Sequence, residues 1–413
     1  MKKYIFYLFF WFVIPIQAQW IQQNSGTTEN LNDVYCISAD TVVVVGNNAT
    51  ILRTTDGGTN WLPVSNPASV NLHQVAFANN QTGYAVGDNG TLLKTTDAGM
   101  SWQSLTTNTT ENLLTLSIVS ADTIYTGGTN GLIMKTVDGG NNWSNLNSGI
   151  TQNIIDIQFV NSNVGYAVPQ LNNCETQNAM LIKSVDGGIN WTIVNINISA
   201  ISKINCIDEN NVYVQTCNPI GEIYVTDDAF VNVYFVFNSE EGKIENFYVI
   251  DNFKIWIVGW DSRTYGNNDA YNALFEFTNG QTNPSITYFN GGDPPPYKGI
   301  DFANPTTGYI VGALGVIRKN TTGNNVSAIN EFENKIIKII PNPSSGKIII
   351  QNKNSQIKLV SYSIINLQGK KVVTEKELTG NTINATQLSN GTYMIRLRDN
   401  DNNYYAHKLI IKK

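Results

Sequence analysis

Four aspartates recur along the chain at near-constant intervals: Asp56, Asp97, Asp138 and Asp186 stand 41, 41 and 48 residues apart. Repeated carboxylates are the raw material of metal sites and of general acid–base pairs, but the rest of the chemical inventory is thin. The chain has two histidines, His73 and His407, and only Arg53, Arg263 and Arg318 supply guanidinium groups before residue 330. No HExxH, GxSxG, phosphate-loop or CxxC pattern occurs, so zinc hydrolysis, nucleophile-elbow chemistry and nucleotide binding lack their usual residues. The neighbours of each aspartate point to a turn instead. Thr54 to Trp61 reads TTDGGTNW, Thr95 to Trp102 TTDAGMSW, Thr136 to Trp143 TVDGGNNW and Ser184 to Trp191 SVDGGINW. In such a unit the carboxylate accepts backbone N–H bonds, the glycines supply positive φ, and the tryptophan caps the next strand with a buried ring. These eight residues are expected to be structural, with no catalytic residue, cofactor or metal.

The interval between boxes is that of a four-stranded propeller blade. An Asn follows each of the first three boxed tryptophans by ten residues, at Asn71, Asn112 and Asn153, and Trp20 obeys the same rule with Asn30. An apolar strand ending in Val-Gly or its equivalent recurs near Val45, Val86, Gly127, Val168, Val214, Val258 and Val311, which predicts seven blades. The boxes decay toward the end: Thr226 to Phe230 keeps the acid but has Val233 where the Trp belongs, and the seventh blade lacks a last strand. Trp20 is expected to begin the strand that closes the ring and hides the sheet edges.

These octapeptides resemble the Asp-box of sialidase-type propellers, and the longer pattern resembles the propellers of photosystem II assembly and stability factors. A sialidase needs an arginine cluster for the substrate carboxylate, a tyrosine nucleophile and acid–base carboxylates. Here Arg53 and Arg318 are read at one repeat position shared with Lys94, Lys135 and Lys183, a ring of strand-end cations and not a convergent triad. The FRIP-like arginine motif is absent, and seven blades differ from the sialidase number.

With 42% apolar and 14% charged residues the 413-residue chain has ample material for a β core, and the expected class is all-β. Lys2-Lys3, the apolar run Tyr4 to Ile16 and the small residue Ala18 read as a secretory signal over residues 1–18, and no later segment is long and apolar enough to span a bilayer. Export permits a disulfide. Cys174 and Cys217 each follow the second strand of neighbouring blades and are the favoured pair; Cys206 shares a hairpin with Cys217 but falls opposite about Val214. Residues 19–330 carry 11 Lys+Arg against 26 Asp+Glu, a net of −15, which disfavours nucleic acid. Residues 331–413 carry 13 against 6, a net of +7, so the chain joins two chemically different parts.

The predicted division is a propeller over 19–323, a polar linker over 324–333 and a small β-sandwich over 334–413. The sandwich contains Pro341 to Lys347 (PNPSSGK), Asn366 to Val372 (NLQGKKV), Asn390 to Leu397 (NGTYMIRL) and a basic last strand. In that order these segments resemble the type A C-terminal sorting domain of the type IX secretion system of Bacteroidetes. The resemblance implies that the type IX machinery is a partner, and that the protein is secreted or held at the outer-membrane surface.

Loop lengths suggest where a ligand would sit. From the apolar marker to the box is 11 residues in blades 1 to 3, but 18, 14 and about 22 in blades 4, 5 and 6, all added on the face opposite the boxes. Blade 6 supplies Trp260, Asp261, Arg263, Tyr265, Asp269 and Tyr271, and the next connection supplies Tyr297. Aromatic platforms beside carboxylates suit a glycan or protein ligand. The expected function is a non-catalytic extracellular binding protein; the alternatives are a sialidase-like glycan hydrolase with an unrecognised site and an envelope assembly scaffold.

Overall fold

The computed structural model describes residues 20–172, 174, 177–217, 221–238, 242–251, 254–261, 271–278, 285–288, 297–304, 306–320, 337–342, 344–352, 358–366, 371–400 and 404–413. The expected signal and linker lie outside them. Among the described residues the structure is all β, with two 3-10 turns at Thr129–Gly131 and Ala313–Gly315.

Seven four-stranded antiparallel sheets follow one another, six of them built from consecutive strands. Their innermost strands are Leu31–Cys36, Leu72–Phe77, Leu113–Ile118, Ile154–Phe159, Ile201–Cys206, Gly242–Asp251 and Tyr297–Asn304, and each touches the next until the last touches the first. The second strands, such as Val42–Gly46, Gly83–Gly87 and Ile124–Gly128, are buried along their whole length. A strand packed between two neighbouring blades has no solvent face, so it reads as a continuous apolar run without alternation. At Gly87 a Cβ would stand 2.2 Å from the carbonyl oxygen of Asn71, which explains the Val-Gly marker: the incoming connection crosses there at backbone contact.

The seventh sheet is completed by the first strand. Trp20–Gln23 pairs with Ile317–Asn320, Trp20 opposite Asn320. The Trp20 ring is buried edge-on against Trp256 and Phe302, at centroid distances of 5.8 and 6.0 Å. Registers correct two alignments made from sequence. Gln215, and not Val214, stands where the other blades carry the apolar marker, since it faces Lys203 as Val168 faces Asp156. Lys319, and not Arg318, matches Lys94, because both lie opposite a second-strand tyrosine, Tyr309 and Tyr84.

The C-terminal residues form two sheets. One is Ile337–Ile340, Lys347–Asn352 and Thr382–Asn384; the other is Lys371–Glu377, Leu359–Asn366, Gly391–Asp399 and Tyr404–Ile411. Ile348, Ile364, Ile395, Leu397 and Leu409 fill the space between them. Ser344 ties the PNPSSGK segment to the last strand: its N–H donates to the Ile410 carbonyl at 2.8 Å, and its own carbonyl accepts from the Lys412 N–H at 2.9 Å.

Candidate binding faces and the box turns

Each box closes on its own side chains. In the first, the Thr54 hydroxyl donates to Asp56 Oδ1 at 2.8 Å and accepts from the Gly58 N–H at 2.9 Å, while Asp56 takes the Asn60 N–H at 2.9 Å and the Asn60 amide at 2.7 Å. Asp97, Asp138 and Asp186 repeat the pattern with Ser101, Asn142 and Asn190. Both oxygens of each box carboxylate are therefore engaged. The Asn60 N–H and amide hold Asp56 down at about 2, and the Asn142 amide and N–H do the same for Asp138. Trp61 and Trp102 are buried in the blade core. Trp143 and Trp191 are half-buried, Trp143 donating to the Gly140 carbonyl at 3.2 Å.

Blade 5 keeps the turn without the usual residues. Asp228 accepts from the Thr226 hydroxyl, the Asn232 N–H and the Asn232 amide, although Ala229 and Phe230 occupy the glycine positions at φ 58° and 74°. Phe230 stands edge-on to Tyr166 at 5.6 Å and joins the blade 4–5 core, so it supplies the ring that Val233 lacks.

The strand-end cations latch neighbouring blades. Lys94 Nζ donates to the Gly139 carbonyl at 2.7 Å, Lys135 to that of Gly187 at 3.1 Å, Lys319 to that of Gly57 at 2.7 Å, and Arg53 Nε to that of Ala98 at 2.8 Å. Each lysine also lies over the second-strand tyrosine of its own blade, 5.0 to 5.7 Å from the ring centroid. The Tyr84 and Tyr125 hydroxyls reach the same Gly139 and Gly187 carbonyls, each at 3.0 Å.

Around the central channel the inner strands are tied by polar side chains that repeat spacing alone did not reveal. Asp33 Oδ2 accepts from the Val75 N–H at 3.0 Å, Gln74 from Leu116 at 2.6 Å, Asp156 from Ile204 at 2.9 Å, and Asp301 from Cys36 at 2.6 Å. Burial pushes Asp33 up to about 6, against its bond from Val75 and the positive charge of Lys203. Burial likewise pushes Asp301 up to about 7, against its bond from Cys36, with Asp33 adding repulsion. Asp156 is raised by burial too, with Lys203 opposing. The signal available in sequence was one polar residue two places after each inner-strand Leu or Ile, but its type changes from blade to blade: Asp33, Gln74, Thr115, Asp156, Lys203 and Asn246. No group of three or more His, Cys, Asp or Glu among the described residues is arranged to hold a metal.

On the opposite face the described residues place part of the added length in strand: the third strand of blade 4, Gln177–Ser184, has eight residues against four in Ile51–Thr54 of blade 1. In blade 4, Gln177–Ser184 pairs with Thr192–Ser199 as far as Gln177 opposite Ser199. In blade 6, Lys254–Asp261 pairs with Tyr271–Thr278, placing Trp260 opposite Asn272 and Asp261 opposite Tyr271. In blade 1 the pair that matches blade 6 is four residues long, Val42–Val45 with Ile51–Thr54, and the pair that matches blade 4 is two, Leu52 and Arg53 opposite Pro63 and Leu62. Trp260, Asp261 and Tyr271 thus belong to one extended hairpin; Arg263, Tyr265 and Asp269 lie outside the described residues. Tyr297 requires a correction. It begins an inner strand and is buried at 1% exposure with Trp20, Trp256 and Ile300, so its ring is core and no stacking platform. Between blades 4 and 5, Cys174 and Cys217 are joined as a disulfide with Cα atoms 5.2 Å apart, leaving Cys36 and Cys206 free.

Known proteins share this arrangement. A solved structure described as YCF48 bound to D1 peptide is 20% identical, covers 75% of this chain and 96% of its own, and superposes with a TM-score of 0.59. YCF48 from Cyanidioschyzon merolae is 18% identical over 74% of this chain and 98% of its own, with a TM-score of 0.57. The GH74 enzyme of Niastella koreensis is 14% identical over 94% of this chain and 67% of its own, with a TM-score of 0.60. At these identities the likeness is one of fold. No curated relative matches the sequence. The secretion system C-terminal sorting domain matches residues 338–412, which supports export to the cell surface or beyond. The photosynthesis system II assembly factor YCF48 model matches residues 14–110, 60–149 and 101–252, more than half of the 413 residues, and the chain belongs to that family.

Proposed function

We propose that the protein is a non-catalytic binding protein of the cell exterior. A signal over residues 1–18 takes it out of the cytoplasm, the 334–413 module engages the type IX machinery for passage across the outer membrane, and the propeller then holds a protein or glycan ligand. The ligand face is the one opposite the boxes, over blades 4 to 6. The observation that supports this most directly is the growth of the blade 4 and blade 6 hairpins, on the side away from the boxes, beyond the two- and four-residue pairings that match them in blade 1. Hairpins held by their own backbone ladder present side chains to a ligand with little ordering cost. A relative described as bound to a D1 peptide makes a polypeptide the first ligand class to test. The fold is also that of GH74 enzymes, but here both oxygens of each box carboxylate are spent on the turn.

Two experiments test the two halves of this reading. A reporter carrying the signal and residues 334–413 should reach the medium or the cell surface of a host with type IX machinery; periplasmic retention would overturn the export half. Glycan arrays and peptide capture with the secreted chain should yield a ligand whose affinity falls at least about tenfold when Trp260 and Tyr271 are both replaced by Ala, with folding intact. Binding that survives that change, but is lost in a fully stable box variant, would place the ligand on the wrong face for this proposal.

A further inference from the structure

In blades 1 to 3 and 7, the turn between the second and third strands lies opposite the boxes and places its second residue in the left-handed region. In blades 1 to 3 that residue is Asn48, Asn89 or Asn130, at φ 51°, 54° and 54°. Asparagine is among the few side chains that tolerate this conformation, and two of the three put their amide to use: Asn48 donates to Glu29 and Asn130 to Glu111, each at 2.9 Å. In blade 7 the position is Leu314, at φ 53° and ψ 33°. A branched apolar side chain gains no bond there and bears the steric strain of the conformation. It is also 65% exposed, so burial does not offset that strain.

The glycine that follows is bonded differently as well. In blades 2 and 3 a hydroxyl from the next connection closes on it, Thr107 donating to the Gly90 carbonyl and Ser148 to the Gly131 carbonyl, each at 2.8 Å. Ser25 is the matching residue for blade 7, since Asn30 follows it as Asn112 follows Thr107 and Asn153 follows Ser148. Its hydroxyl donates instead to the Thr27 carbonyl at 3.2 Å, which leaves the Gly315 carbonyl without the bond that closes the other two turns. Here the turn, the end of the closing strand and the connection after it border a depression of about 360 Å³, with Gln22, Gln23, Asn24 and Ser25 on its wall beside Leu314 and Gly315. The Asn24 side-chain oxygen holds the Gly26 N–H at 3.2 Å and leaves its NH2 group to donate, and the exposed Gln22 amide adds a donor and an acceptor.

The wall chooses among occupants. None of its side chains is charged, so an ionic ligand finds no counter-charge on it, and none is an aromatic ring on which a sugar would stack. It offers side-chain amides, an open carbonyl and one protruding aliphatic group. A peptide backbone is the complement of the first two, with one N–H and one C=O per residue, and an aliphatic side chain is the complement of the third.

We propose that this notch, where blade 7 meets blade 1, binds an uncharged extended segment of another polypeptide. Its peptide groups bond to the Gly315 carbonyl and to the Gln22 and Asn24 amides, and a leucine-sized side chain packs on Leu314. The strain at Leu314 is then stability given up for a contact made only in the complex. The notch is separate from the ligand site over blades 4 to 6 and does not depend on it.

The test is a titration of the full chain with a labelled hexapeptide of alternating Ser and Leu, acetylated and amidated so that it carries no charge. Controls are the Ser–Ala hexapeptide and a Ser–Leu hexapeptide N-methylated at its Leu residues. The Ser–Leu peptide should bind at least about tenfold more tightly than either. Leu314→Asn should lower its affinity about tenfold while raising the melting temperature by about 1–2 °C, a pairing that a merely structural leucine would not give. Gln22→Ala should weaken binding about threefold, and the Trp260→Ala, Tyr271→Ala double variant should bind normally. No saturable binding of the Ser–Leu peptide, equal binding of either control, full affinity in Leu314→Asn or a lowered melting temperature in that variant would overturn the proposal. So would maltohexaose binding tighter than the peptide, or peptide-free self-association, that Leu314→Asn abolishes, because the notch would then take a glycan or a second copy.

Discussion

The Asn30 side-chain oxygen accepts a hydrogen bond from the Leu314 N–H at 3.1 Å, across 284 residues of sequence. The same bond joins Asn71 to the N–H of Asn48, Asn112 to that of Asn89 and Asn153 to that of Asn130, each over 23 residues. In every case the Asn leading into one blade caps the left-handed turn of the blade before it. The two ends of the propeller are therefore joined by the repeat's ordinary bond, and the Trp20 strand belongs to the seventh blade by the same rule that places the others.

Replacing Trp20 by Ala should destabilise the propeller by about 3–5 kcal/mol, the usual cost of removing a buried aromatic ring. Denaturant unfolding followed by the remaining tryptophans measures this. A loss no larger than that of an exposed-site control would show that the ring does not depend on this strand.

Asp97→Ala removes the acceptor of the Ser101 N–H and hydroxyl and of the Thr95 hydroxyl. A loss of about 1–3 kcal/mol is expected, with ligand binding on the opposite face unchanged. Unfolding midpoints and affinities measured on one preparation separate the two effects.

Phe230→Gly and Phe230→Ala both lose the ring packed on Tyr166, but only glycine adopts φ 74° without steric cost. The glycine variant should be the more stable of the two by about 1 kcal/mol. The reverse order in thermal melts would mean that the turn relaxes to negative φ.

Two groups of carboxyls give opposite pH dependences. The box acids Asp56 and Asp138 are lowered in the folded state, so their stabilisation is present above the unfolded value of 3.8 and is lost as pH falls toward 2. Asp33 and Asp301 are raised by burial to about 6 and about 7, so the folded state binds their protons more tightly than the unfolded state does. Their contribution favours folding at acid pH and is lost as pH rises from about 4 to about 7, with a slope of up to about 1.4 kcal/mol per pH unit for each proton held. Asp301→Asn, which still accepts from Cys36, should flatten that slope; an unchanged stability profile between pH 4 and pH 8 would refute the assignment.

Reducing the Cys174–Cys217 bond frees two loops 43 residues apart in sequence, and Cys217→Ser should lower the unfolding free energy by about 2–4 kcal/mol. An unchanged melting temperature with and without reductant would show that the bond contributes nothing.

Whatever is made within a few residues, or repeated at one interval, can be read from the order of the residues alone. The box turn is legible because Thr54, Asp56, Gly58 and Asn60 bond to one another within four positions, and such local bonds demand particular residue types at particular spacings. The position of Trp20 was legible because its strand shares the interval that carries Asn30, Asn71 and Asn112. Contacts between blades leave no such mark, because they form only as the blades pack. Asp33 meets Val75 forty-two positions away and Asp301 meets Cys36 across the closure, and a backbone N–H donates equally well to Asp, Gln or Thr there, so no fixed letter marks the site. The same holds for Phe230, which fills from the glycine position the space that a tryptophan fills elsewhere. Tyr297 was misread for the converse reason: it follows a stretch of Gly and Pro, yet the closing strand of blade 7 and Trp256 of blade 6 pack over it, and that burial exists only once the ring has closed.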